Sequence, residues 1–271
     1  MINRIIKDQI MAQLDKGKVI HIPGPRQSGK TTLVKEIYNH ANMPALWLDG
    51  DESDIREMFK NPTSTRIKSL IGTNKLIIID EAQRIEEIGL VLKLIHDNIS
   101  GISVIATGST AFELSGKINE PLTGRKTELF LFPLSYNELA DNLGVIEEGR
   151  LLEHRIIYGT YPEVVMSPGN EKVALKRLSD AFLYKDILSY QGMKKPYLLE
   201  KLLQSLALQV GNEVSYNELG QTTGADNETV ERYIDLLEKA YIVFRLTALS
   251  RNSRRSEEHT SELQSLLIIS Y

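Results

Sequence analysis

Residues 24–31 read GPRQSGKT, and they lie between the apolar run Val19–Pro23 and an amphipathic stretch that opens at Thr32-Leu-Val-Lys-Glu-Ile. An apolar strand, a glycine-rich turn and a helix in that order restrict the fold more than anything else in the chain. Glycine at the first and sixth positions lets the backbone come close to a ligand. The N–H groups of the turn and of the helix N-terminus then converge on one anion. The pattern G-x-x-x-x-G-K-[ST] is matched at every fixed position, which is the Walker A arrangement for nucleotide phosphates. It predicts contacts from Gly24, Pro25, Arg26, Gln27, Ser28, Gly29, Lys30, Thr31 and Thr32, with Lys30 on the β- and γ-phosphates and the Thr31 hydroxyl on Mg²⁺.

From Lys18 to Leu134, short apolar runs alternate with longer helical stretches, the pattern of βα units around a parallel sheet. Strands are predicted at Val19–Pro23, Ala45–Asp49, Leu76–Asp80, Ser103–Thr107 and Glu128–Phe132. Their nearly continuous apolar character suits strands covered on both faces. The third run, Leu76-Ile-Ile-Ile-Asp80-Glu81, closes on two carboxylates, the Walker B pattern. Asp80 at the strand end is predicted to hold Mg²⁺, and Glu81 to polarise the attacking water as general base. The two motifs together point to a protein that binds ATP with Mg²⁺ and hydrolyses it.

The fourth strand ends in the hydroxyls Thr107, Ser109 and Thr110, at the edge where open parallel sheets bind ligands. Thr107 or Ser109 is a candidate sensor of the γ-phosphate or of the attacking water; the plainer alternative is that Ser109 or Thr110 caps a helix. In Leu122-Thr-Gly124-Arg125 nothing structural demands arginine, so Arg125 is a candidate arginine finger, set against an ordinary exposed loop arginine.

After Ser135 the pattern turns helical, with no convincing strand before Tyr241. Helices are predicted at Pro196–Val210, Ser215–Thr222 and Asp226–Ala240, the last with Val230, Tyr233, Ile234 and Leu237 on one face. Tyr241–Thr247 follows as a wing, which gives a winged-helix-like unit. Such a unit invites a DNA-binding reading, but the last helix carries five acidic residues (Asp226, Glu228, Glu231, Asp235, Glu238) against two basic ones (Arg232, Lys239). A helix lying between phosphate backbones should not be net negative, and the whole chain carries −4. A packing or protein-contact module is the better expectation, with protein partners or self-association ahead of DNA.

The chain contains no cysteine, and its five histidines, His21, His40, His96, His154 and His259, never fall at metal-ligand spacing, which argues against disulfides and structural zinc. With no long uncharged apolar run and no signal-like N-terminus, the expected location is the cytoplasm, away from the membrane.

GPRQSGKTTL, LIIIDEAQ, ATGSTAFELS, LTGR, FPLSYNEL and YGTYPEVV, in this order, resemble a family of bacterial and archaeal AAA-type ATPases that continue into a C-terminal domain of unknown function. The resemblance runs to about Arg254. It implies an α/β fold, an AAA-like P-loop sheet with helices on both faces, followed by a mostly helical region with a winged helix that contains VSYNELGQTTG. It makes Lys30 and Thr31 the phosphate and Mg²⁺ contacts and Asp80 and Glu81 the Walker B pair, favours Ser109 over Thr107 as the sensor, and makes Arg125 a better finger candidate than its spacing alone does. The expected division is an ATP-binding domain over 1–135, a helical lid over 136–195 and a winged-helix-like domain over 196–254. Arg255–Ser265, RSEEHTSELQS, resembles the conceptual translation of a sequencing adapter, so 255–271 is expected to be an artefactual tail in place of a further domain that looks like a restriction endonuclease. The functional expectation is an ATPase whose hydrolysis drives a conformational switch; the alternative is a nucleotide-gated DNA-associated or protein-binding regulator with slow or no hydrolysis.

Overall fold

The computed structural model describes residues 2–108, 122–181 and 196–246, and the backbone of 265–269. Five strands, β1 (Val19–Pro23), β2 (Ala45–Asp49), β3 (Leu76–Asp80), β4 (Ser103–Gly108) and β5 (Lys126–Glu128), form one parallel sheet in the order β2-β3-β4-β1-β5. Successive side chains of a strand point to opposite faces, and here both faces are covered. Ile20 and Ile22 of β1, Leu76 and Ile78 of β3 and Ile105 of β4 pack with Ile10 of α1 (Ile6–Met11) and Leu33, Val34 and Ile37 of α2 (Lys30–Asn39). Their alternates Val19, Ile77, Ile79, Val104 and Ala106 pack with α3 (Ser53–Met58), α4 (Ser64–Ile71) and α5 (Ile88–Asn98) through Ile55, Ile67, Ile71, Val91, Leu92 and Ile95. Each such fully buried aliphatic side chain contributes about 1.5–3 kcal/mol.

Four of the five strands stand where the apolar runs predict them, β4 one residue longer. The fifth differs: it covers Lys126–Glu128 instead of Glu128–Phe132. Its pairing with β1 nevertheless runs on as single bonds, Leu129 N–H to His21 O at 2.9 Å and Leu131 N–H to Pro23 O at 2.9 Å. Of the apolar residues that suggested a strand there, Leu129 and Leu131 pack with the core beyond it, whereas Phe130 and Phe132 are exposed.

The strand order fixes where a ligand can enter. After β1 the chain crosses to β2 at one edge, whereas after β4 it passes β1 to reach β5 at the other. Neighbouring strands whose connections leave in opposite directions open a crevice at their carboxyl ends. The register pairs Pro23 with Gly108 and Asp49 with Asp80, so the last residues of β1 to β4 share this edge.

The chain divides into two compact units, Met1–Glu171 and Lys172–Tyr271. The first also holds α6 (Tyr136–Leu143), α7 (Val145–Arg150), α8 (Leu152–Tyr158) and α9 (Pro162–Val165). A capping box, with Ser135 Oγ accepting from Glu138 N–H and Glu138 Oε2 from Ser135 N–H, starts α6. The boundary between units falls within the span predicted as a lid.

The second unit, after α10 (Glu171–Ala181), contains α11 (Pro196–Ala207), β6 (Glu213–Val214), α12 (Tyr216–Thr223), α13 (Asn227–Lys239), β7 (Val243–Leu246) and β8 (Ser265–Ile269). Gly224 at φ 77° turns the chain between α12 and α13, and Asp226 caps α13 by accepting from Thr229 N–H at 2.7 Å. Val230, Tyr233, Ile234 and Leu237 are buried, as their spacing predicts. The helix-turn-helix with a following strand is present, while β6, two residues long, is a strand the periodicity did not show. A three-stranded antiparallel sheet has the order β6-β8-β7. Of the span expected to be an artefactual tail, 255–264 lies outside the described residues, whereas Ser265–Ile269 forms the middle strand of this sheet.

Candidate functional site

The loop 24–31 leaves the carboxyl end of β1 and enters α2 at Lys30. Gly24 has no alternative at its position, because a Cβ there would lie 2.2 Å from the carbonyl oxygen of Leu131. Gly29 is the N-cap of α2 at φ 97°, a left-handed conformation that costs glycine little. Gln27, at φ 58°, is held left-handed without that excuse. Such strain concentrates where a loop is shaped for a ligand. Lys30 is buried and donates to the carbonyls of Gly24 at 2.9 Å and Pro25 at 2.8 Å, so the ammonium lies along the inside of the loop. Ser28 Oγ is buried without a hydrogen-bond partner.

Asp80 ends β3 and Glu81 follows it at the same sheet edge. Asp80 is 2% exposed, and its Oδ1 accepts from the Thr107 hydroxyl at 2.5 Å. The same hydroxyl oxygen accepts from Glu81 N–H at 3.2 Å. Thr107 therefore aligns the two acidic residues, a role the sequence, which offered it as a sensor, did not reveal. Glu81 sits at φ 47°, and Gly50 makes the space for it, since a Cβ on Gly50 would lie 2.4 Å from the Glu81 carbonyl oxygen. The Glu81 carboxylate accepts from the Gln83 amide. Burial pushes its carboxyl pKa up; the Gln83 amide and the Lys30 ammonium pull it down, and Asp80 and Asp51 push it up again, with a net rise. A carboxyl that feels both the loop lysine and Asp80 stands between the two motifs.

The chemistry of the donors fits Mg·ATP. Mg²⁺ keeps several waters and takes few protein ligands beside phosphate oxygens, and one hydroxyl (Thr31) with one carboxylate (Asp80) is such a set. Among the described residues no group of three or more His, Cys, Asp or Glu is placed to hold a metal ion. Within the loop, the buried Ser28 hydroxyl still lacks a partner of its own.

Ser109 lies outside the described residues. Arg125 stands elsewhere than the loop. Its carbonyl accepts from Val19 N–H at 3.0 Å, which puts it at the amino end of β1, and its Nε donates to Asp97 Oδ1 at 2.8 Å near the end of α5. The Arg125 and His96 hydrogen bonds hold the Asp97 pKa at about 2. The loop begins at the other end of β1, four residue steps of about 3.3 Å away.

A third group was missed by the sequence reading. Arg4, 8% exposed, donates from Nη1 to Ser28 O at 2.7 Å, from Nη2 to Phe132 O at 2.6 Å and from Nε to Glu138 Oε1 at 3.0 Å. Glu138 also accepts from Ile5 N–H and Ser135 N–H, each at 2.9 Å. Burial raises its pKa, yet these N–H groups and Arg4 outweigh burial and leave it lowered. The partners are 134 residues apart, so no local pattern exposes them.

A parallel sheet of this order, with a glycine-rich loop leading into a helix at its switch point, is the P-loop fold. Comparison with known families agrees: residues 16–140 match the model of an AAA domain, and residues 149–264 match a domain of unknown function, DUF8612. The chain thus matches an AAA domain followed by that domain, and its relatives are bacterial and archaeal. It is 25% identical to an uncharacterized protein of Haemophilus influenzae over 83% of this chain and 61% of the relative. It is 28% identical to one of Mycobacterium tuberculosis over 90% and 54%, and 24% identical to one of Methanocaldococcus jannaschii over 94% and 63%. The chain therefore spans between 54% and 63% of the length of these curated relatives. Solved structures with likeness include Pif1 helicases on forked double-stranded DNA (14% identity, 56% of this chain and 51% of that one, TM-score 0.36) and a Bacteroides Pif1 bound to single-stranded DNA (14%, 57% and 50%, 0.34). At those scores the fold assignment rests on the sheet itself. Among the described residues, no helix is long and apolar enough to cross a membrane.

Proposed function

We propose that the chain binds Mg·ATP on loop 24–31 and hydrolyses it, and that the state of the loop is passed to the helices that follow the sheet. The observation that carries this reading is the meeting of three chain segments at one sheet edge: the loop after β1, Asp80 and Glu81 at the end of β3, and Thr107 in β4. The loop amides and the α2 N-terminus take the phosphates, and Lys30 exchanges its bonds with Gly24 and Pro25 for phosphate oxygens. Mg²⁺, where bound, offsets the charge that develops on the transferring phosphoryl group. Thr31 and Asp80 are the residues that would hold it. Glu81 accepts a proton from the attacking water, and Gln83 fixes the direction of its carboxylate. The coupling to a conformational switch is supported by Arg4 and Glu138, which connect the loop with α6.

A DNA-linked regulator finds less support. Arg245 in β7, the wing strand, pairs with Asp235 and, at 3.4 Å, with Glu238 of the acidic α13, so its charge serves the unit internally.

The test measures ATP turnover and ATP affinity for the parent chain, Lys30→Ala and Glu81→Gln. Lys30→Ala is expected to lose affinity. Glu81→Gln is expected to keep affinity and lose about 10²- to 10⁴-fold in turnover, the usual worth of a positioned base. Equal turnover in all three overturns the hydrolytic assignment, and no affinity in the parent overturns nucleotide binding.

A further inference from the structure

We propose that Arg4 is a positioning residue for the phosphate loop, setting the direction of the Gly29 amide through the Ser28–Gly29 peptide; this rests on the nucleotide-binding reading above. A trans peptide is planar, and its C=O and N–H point in opposite directions. The Ser28 carbonyl is drawn to Arg4 Nη1 at 2.7 Å, so the N–H of Gly29, on the same peptide, is turned away from the guanidinium. That side is the inside of the loop, where α2 begins and where Lys30 reaches the carbonyls of Gly24 and Pro25. A flipped peptide would offer a carbonyl oxygen to the phosphate and aim an N–H at a buried cation. Arg4 opposes both.

The geometry suits arginine and no other residue. The guanidinium is a rigid planar fork, and here each of its three nitrogens has a different acceptor: Ser28 O, Phe132 O and Glu138 Oε1. Phe132 adjoins Leu131, whose carbonyl abuts Gly24. The loop is therefore fixed at both ends against one short segment, at Gly24 by contact and at Ser28 through Arg4. The guanidinium packs closely against Gly29, where a Cβ would lie in van der Waals contact, 3.4 Å from Nη1. Glu138 balances the buried charge and is itself held by Ile5 N–H and Ser135 N–H. Arg4 contacts the back of the loop, so its effect on a nucleotide is transmitted by the peptide plane alone.

The experiment titrates Mg·ATP, ADP and inorganic tripolyphosphate into the parent chain, Arg4→Ala, Arg4→Lys and Arg155→Ala, at a temperature where circular dichroism finds every variant folded. Arg155 is the matched control: it too forms a buried ion pair, with Glu148 at 2.7 Å, in the same unit and with no bond to the loop. Arg4→Ala and Arg4→Lys are expected to weaken tripolyphosphate and Mg·ATP by about tenfold or more, the worth of one mis-aimed hydrogen bond to a charged group. Arg155→Ala is expected to lower Tm with affinity retained. Parent-like affinity in both Arg4 variants overturns the proposal, and so does an equal loss in Arg155→Ala, which reports general destabilisation. If Arg4→Ala does not fold, Arg4→Lys, which keeps the charge opposite Glu138 and loses the fork, decides by the same criterion. A parent chain that binds none of the three ligands points instead to failure of the nucleotide-binding reading.

Discussion

Glu81, the base we propose, is set in place at a cost to the fold. Its backbone is left-handed, which strains any residue but glycine, and its half-buried carboxyl stands beside Asp80, which disfavours the ionised form. Because its folded pKa is raised above 4.5, the folded protein binds more protons than the unfolded chain in the window between the two values, and stability falls as pH rises through it. Glu81→Gln removes that cost. The variant is expected to be more stable than the parent at neutral pH in chemical denaturation, with the difference shrinking as pH falls below the window. A base must be ionised to act, so kcat/KM for ATP is expected to fall on the acid side through a pKa above 4.5, since this ratio reports groups of the free enzyme. An acid limb at or below 4.5, or one that persists in the residual activity of Glu81→Gln, rules out Glu81 as its source.

At the scale of elements, the strands and the loop depend on close backbone approach as much as on side-chain burial. Gly24 and Gly17 separate the two effects. A methyl on Gly24 meets the Leu131 carbonyl, which is backbone and cannot swing aside, whereas Gly17, at φ 71°, has nothing within 4 Å of a Cβ. Gly24→Ala is therefore expected to cost about 1–3 kcal/mol through overpacking and to weaken Mg·ATP because the loop must move. Gly17→Ala is expected to cost about 1–2 kcal/mol of left-handed strain and to leave affinity unchanged. Denaturant unfolding and a nucleotide titration measure both, and identical behaviour of the two variants would show that the loop is not seated on Leu131. The same contrast explains what the sequence made legible. β1 to β4 could be read because each is apolar on both faces, and the loop because its glycines are spaced by a rule of phosphate binding. The end of β5 was misread because Leu131 is buried and Leu129 half-buried just past the strand. Two-residue β6 has no period to read. Arg4, Thr107 and Glu138 act through partners distant in sequence, and one arginine or threonine in a helical or apolar stretch looks like any other.

At the scale of the whole molecule, the loop and Arg125 lie at opposite ends of β1, and Arg125 is engaged with Asp97 on its own side. A finger must reach the transferring phosphoryl group, and a side chain fixed about 13 Å of strand away from the loop does not reach it in the same copy. If Arg125 is the finger that its sequence context suggests, it serves the nucleotide of a neighbouring copy, through a head-to-tail contact that sets the amino edge of one sheet against the carboxyl edge of the next. Self-association then becomes a condition of turnover. Specific activity is expected to rise with protein concentration, and Arg125→Ala to keep ATP affinity while losing turnover. Mixing decides the geometry. Arg125→Ala has an intact loop and Lys30→Ala an intact arginine, so a random one-to-one mixture pairs a working loop with a working arginine at about a quarter of its sites. Activity recovered on mixing two inactive variants establishes action between copies. No recovery, with Arg125→Ala still inactive, confines Arg125 to its bond with Asp97, and parent-like turnover in Arg125→Ala removes it from the chemistry altogether.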